Sequence, residues 1–144
     1  MLVLVAGCGG GDSRPKLTKA EFIAKGDKLC NDFRAHQPAG VPIANWADLK
    51  RGSENAADAE AKFRDSFGGL NAPADGRTVR DHVVAYEDRV VKITRTVADL
   101  AAKPSANTRA TIGDYANQLR SIGDQMRAEL LAYGFKVCSQ PRSV

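Results

Sequence analysis

The side chains of this 144-residue chain that could do chemistry are three cysteines, two histidines and a few closely spaced carboxylates, and their spacing limits which chemistry is open to them. The cysteines are Cys8, Cys30 and Cys138. No two form a C-x-x-C pair, so thioredoxin-like exchange and a zinc knuckle both lack support. Neither histidine follows a glutamate by three residues, the spacing with which a di-metal helical bundle presents its ligands. His82 has Val79 and Ala85 three positions away and Thr78 and Tyr86 four away, so no carboxylate on its own helix face can orient it. It reads as a histidine on the flank of a bundle. His36, with Asp32 one turn earlier, lies near a helix end, where a cationic ring meets the negative end of the dipole. Asp81 and Asp88, with Glu87 beside them, resemble an acid–base pair in type, but without a cleft they form a solvated face. The patterns C-x-x-C-H, G-x-S-x-G and H-E-x-x-H and a phosphate-cradling glycine loop are missing from the chain. No nucleophile can be joined to a base, and neither catalysis, a metal nor a cofactor is expected.

What the sequence offers in place of a reaction centre is a set of groups suited to binding. Tyr86, Tyr115 and Met126 fall on apolar stripes, and a phenol on such a stripe needs a partner or a route to solvent. These three are the candidate lining of a small-ligand cavity between the third and fourth helices.

Four helices must position them. Thr18, with Glu21 three residues on and Leu17 placed to meet Phe22, is a capping box with a hydrophobic staple and starts the first helix. Phe22, Gly26, Leu29 and Phe33 continue its apolar face, with Cys30 beside them, until Gln37, Pro38, Ala39 and Gly40 end it. Asn45 caps a second helix through Trp46, Leu49, Ala56, Ala59, Phe63 and Phe67, weakened at Gly52 and Ser53. The third carries Val79, Val83, Tyr86, Val90, Ile93, Val97 and Leu100, a heptad seam suited to shallow crossing angles, and breaks at Lys103 and Pro104. The fourth, from about Ser105, carries Ile112, Tyr115, Leu119, Ile122, Met126, Leu130 and Tyr133 and stops at Gly134, a residue suited to the left-handed position that ends helices. Gly113 and Gly123 within it mark either a close helix approach or a bend. Short connections between four amphipathic helices predict an all-α fold, an antiparallel four-helix bundle.

The start of the chain is of another kind. Residues 1–7 are almost wholly apolar and 9–16 are small, polar and chain-breaking, which marks a processing boundary. Seven residues fall far short of the roughly 20 that span a bilayer, so they are at most the remnant of a signal peptide. The missing basic n-region fits a start codon upstream of Met1. Val5, Ala6, Gly7 and Cys8 resemble the lipobox of bacterial lipoproteins, in which the cysteine receives a diacylglyceryl group before cleavage. The resemblance implies lipidation at Cys8, a flexible tether over 8–16, and residence at the cell membrane on its extracytoplasmic face.

If Cys8 carries lipid, two cysteines remain, and an even remainder in an exported chain reads as a Cys30–Cys138 disulfide stapling the bundle. The run from Tyr133 to Cys138, together with Leu17 to Phe22 and Leu29–Cys30, resembles small alanine-rich helical lipoproteins of high-GC Gram-positive bacteria, which implies a fold and an address rather than a reaction. The organisation expected is a bundle domain over 17–138 and a C-terminal tail over 139–144, too small together for a second domain. The net charge of +4 is spread along the chain, with no basic stripe and few interleaved aromatics, so nucleic acid is not an expected partner. Mild basicity suits an anionic membrane surface. The expected partners are the membrane, through the lipid anchor, and an envelope protein or a small ligand.

Overall fold

The computed structural model describes residues 15–36 and 44–141. Four helices run through them: α1 Lys19–His36, α2 Trp46–Gly68, α3 Arg77–Ala102 and α4 Thr108–Tyr133, with a 3-10 turn at Ala74–Gly76 leading into α3. No strand occurs among the described residues, and the all-α, disulfide-stapled bundle expected from the sequence is the fold observed. Cys8 and the break at residues 37–40 lie outside the described residues.

The helices begin and end for local reasons. Thr18 Oγ1 accepts the Glu21 N–H at 3.2 Å while the Glu21 carboxylate accepts the Thr18 N–H at 2.8 Å, which closes the capping box. That backbone bond, aided by the Thr18 hydroxyl, holds the Glu21 carboxyl below the usual carboxylate range. Asn45 caps α2, its side chain accepting the Asp48 N–H at 2.9 Å. The start of α4 falls at Thr108 rather than Ser105, because the buried Thr108 hydroxyl accepts the Ser105 N–H at 2.7 Å and turns the chain before the helix can form. At the other end Gly134 takes φ +117°, and the N–H groups of Gly134 and Phe135 donate to the Leu131 and Leu130 carbonyls at 3.1 and 3.0 Å. This is the Schellman arrangement, and it turns Phe135 back into the core beside Leu130.

Neighbouring helices are antiparallel. Arg64 pairs with Asp88 at 2.7 Å and Asp58 with Arg95 at 3.8 Å, so α2 and α3 run in opposite directions. Phe33 on Phe63 and Phe22 on Phe67, with ring centroids 5.2 and 5.9 Å apart, place α1 antiparallel to the C-terminal half of α2. The central helix is α3, which packs most extensively on α2 and next on α4. One end of the bundle, here the base, gathers the start of α1, the end of α2, the start of α3 and the end of α4. The opposite end, the crown, is made by the first turns of α2 and α4 and the last turn of α3.

The core is concentrated toward the base. Phe22, Phe67 and Phe135 are fully buried, with centroids 5.5 to 6.0 Å apart, and Val79, Val83, Met126, Leu130 and the disulfide complete the cluster. Gly26 lets α1 approach this closely, since a Cβ there would drive into the Phe135 ring and stand 3.1 Å from that of Phe67. The space beside Gly113 and Gly123 is open, so the close approach considered for α4 is found on α1 instead.

Burial departs from the predicted stripes in two helices. On α2 the buried positions are Ser53, Ala57, Glu60, Phe63 and Phe67, while Ala56 and Ala59 are half-buried. The two phenylalanines fix the rotation of the helix, and positions spaced back from them fall on polar residues. On α3, Val79, Val83, Ile93 and Val97 of the heptad seam are buried, but Tyr86, Val90 and Leu100 are only half-buried, and Glu87, Val91, Ala98 and Ala101 join the interior. A helix flanked by two others buries more than one seam.

Candidate binding groove

At the crown Ala98, Ala101 and Thr108 are buried, but among the described residues the apolar face of α4 is less covered there than at the base. With 18 residues, α1 is shorter than α2 with 23 and α3 and α4 with 26, and its last residue, His36, lines a hollow with Asn55, Asp58 and Ala59 from the middle of α2. At about 1.5 Å per residue the deficit against α3 is roughly 12 Å. On α4, Ile122, Met126 and Leu130 are buried, whereas Ile112, Tyr115 and Leu119, on the same stripe nearer the crown, are half-buried.

A groove of 510 Å³ opens here between the first turns of α2 and α4, lined by Ala44, Asn45, Trp46, Leu49, Arg109 and Ile112. The Arg109 guanidinium lies over the Trp46 ring, 5.6 Å from its centroid. Asn45 spends its side-chain oxygen on the cap of α2, and the nearby Asp48 is paired with Arg51 at 2.6 Å. Arg109 is therefore the one charged side chain in the lining. It makes no ion pair among the described residues. A second hollow of 580 Å³ lies between α1 and α2, floored by Leu29, Phe33 and Phe63 and rimmed by charges of both signs, Asp32, Asp58 and Lys62.

The residues singled out from the sequence are distributed as follows. Cys30 and Cys138 are bonded, with Cα atoms 5.2 Å apart. Met126 is buried in the core cluster and half-buried Tyr86 packs against that cluster, so these two are brought together. Tyr115 lies eleven positions before Met126 on α4, roughly 16 Å along the helix, and does not join them. Neither hollow described above is lined by any of the three. His36 takes the C-terminal position expected, its Nδ1 2.7 Å from the Asp32 carbonyl oxygen.

Two arrangements escaped the sequence reading. The Glu129 carboxylate on α4 orients His82 across the helix interface, Nδ1 to Oε1 at 2.7 Å, and accepts the Tyr86 hydroxyl at 3.5 Å. Asp27, an ordinary polar residue of α1, accepts the N–H groups of Lys136, Val137 and Cys138 at 3.0, 2.8 and 3.0 Å. Arg34 adds a bond to the Gln140 carbonyl at 2.7 Å, so the first residues assigned to a tail are fastened to α1. Both escaped because the partners belong to other elements.

Tyr133 closes the base. Burial first, and then the neighbouring Asp75 carboxylate, push its phenol above the usual value, and Lys19 lies over its ring at 4.3 Å. Among the described residues no group of three or more His, Cys, Asp or Glu side chains could hold a metal ion, and no helix is long and apolar enough to cross a membrane. What the crown offers chemically is an apolar floor with a single cationic, donor-only edge. Comparison with protein-family models, with curated proteins and with solved structures returns no match.

Proposed function

We propose that this protein is a lipoprotein of the cell envelope, held on the extracytoplasmic face of the cell membrane by acyl chains on Cys8, whose helical bundle is a non-catalytic binding module. The observation that carries this reading is the buried Cys30–Cys138 disulfide. Bonds of this kind form and persist in oxidising compartments, which supports export and leaves Cys8, the odd thiol, for modification in its lipobox setting. The chain enters the bundle at the base, where the Leu17 N–H donates to the Asn71 carbonyl at 2.9 Å. The crown is the end of the bundle opposite this point of entry. With α3 spanning 26 residues, the groove stands roughly 39 Å beyond the point of entry.

The reading of the bundle as a small-ligand carrier is favoured by the groove itself, placed between α2 and α4 rather than inside the α3–α4 seam. The anchor is tested by expression behind a complete signal peptide, followed by membrane partition and intact mass of the N-terminal peptide. Acyl chains on Cys8 are expected, two of them holding what one holds only marginally. Cys8→Ala should abolish both acylation and processing at this site. Normal processing with no lipid on Cys8 would overturn the proposal.

A further inference from the structure

We infer that the crown groove is a binding site for an organic carboxylate with an apolar body, in the size class of a medium-chain fatty acid. The inference rests on reading the bundle as a binding module and not on the anchor. Its volume of 510 Å³ falls within the range of about 300–1,000 Å³ usual for small-molecule sites. Trp46, Leu49 and Ile112 supply an apolar floor that is half-buried and so open to a ligand. The polar character is one-sided. A guanidinium offers only donors, in a planar fork that fits a carboxylate with two parallel bonds, and that of Arg109 lies over the Trp46 ring at the edge of this floor.

The charge complement follows from what surrounds Arg109. The first turn of α4 holds no acidic residue, and the acid of the first turn of α2, Asp48, is matched by Arg51. A cationic ligand would meet Arg109 as a like charge, and a neutral one such as an alcohol would offer it only an uncharged, single acceptor. A carboxylate satisfies both requirements.

Trp46 is the only tryptophan of the chain, so its emission reports on this groove without a label. The test titrates the oxidised protein with decanoate, octanoate, decanol and decylammonium, all below the concentration of micelle formation. Decanoate should shift the Trp46 emission saturably to the blue and bind more tightly than either the alcohol or the ammonium. Decanoate should also exceed octanoate, by up to about fourfold for each further methylene the groove covers. Arg109→Gln should weaken decanoate about fivefold and leave decanol unchanged, the change expected for a partly exposed ion pair. Arg120→Gln, on α4 but outside the groove, should change neither. Equal binding of decanoate and decanol, or a decanoate affinity indifferent to Arg109→Gln, would overturn the inference. So would sedimentation showing the groove closed by a second copy of the chain that decanoate does not displace. Loss of decanoate binding would leave acylation of Cys8 untouched, and failure of acylation would leave decanoate binding untouched.

Discussion

The base and the crown of this bundle are made by the same helices and packed by different rules. At the base three phenylalanines meet edge to face, a disulfide joins α1 to the chain beyond α4, and Asp27 gathers three backbone N–H groups. At the crown the same apolar stripe of α4 continues through Ile112, Tyr115 and Leu119, which are only half-buried. Stability is concentrated where the chain's early and late segments meet, and that concentration leaves the opposite end free to present apolar surface to a ligand. Local stability differences of this kind are general, and binding surfaces are drawn from the weaker regions.

Reduction of the disulfide is the strongest way to break that contrast. For cysteines 108 residues apart the chain-entropy model gives about 4–5 kcal/mol. The unfolding midpoint should fall, and amide exchange should accelerate in α1 and residues 135–138 while α2 and α3 keep most of their protection. Uniform acceleration along the chain would erase the distinction between the two ends.

Truncation of matched apolar residues sharpens it. Phe22→Ala empties the centre of the aromatic cluster and should cost about 3–5 kcal/mol in urea unfolding. Ile112→Ala, at a position already half in water, should cost about 1 kcal/mol. Similar losses from the two would show the crown packed as tightly as the base.

Between those two truncations falls Asp27→Ala, expected to cost about 1–3 kcal/mol from leaving three N–H groups without their acceptor. Asp27→Asn keeps one oxygen and should recover part of the loss. Exchange rates of the 136–138 amides are the direct readout, and unchanged rates in Asp27→Ala would show that water replaces the carboxylate at no cost.

Local features of this fold were legible in the sequence. Thr18 with Glu21, Asn45, and Gly134 each act within a turn of their own position, so a short window holds both partners. The rotation of α2 was not legible, because hydropathy assigns Ala56 and Ala59 inward and Glu60 outward, whereas Phe63 and Phe67 turn Glu60 and Ala57 to the interior. The partner of His82 was sought on α3 and lies on α4. The groove was out of reach for a related reason. It is formed where the first turns of α2 and α4 meet, and that meeting is not a property of any one segment. Tyr86, Tyr115 and Met126 were grouped by stripe alone, and the rise along α4 separates Tyr115 from the other two.

The reach of the Asp27 clasp along the chain sets an order of events in folding. Its partners lie 109 to 111 residues away, whereas the α2–α3 contact of Arg64 with Asp88 closes over 24. Contacts of long sequence separation form late, because loop closure must be met before they give anything back. The α2–α3 hairpin therefore comes first and the joining of α1 to residues 136–138 comes last. During that interval Cys30 is a thiol without its mate. Oxidation then holds together two segments separated by 108 residues, whose meeting costs the closure of a long loop.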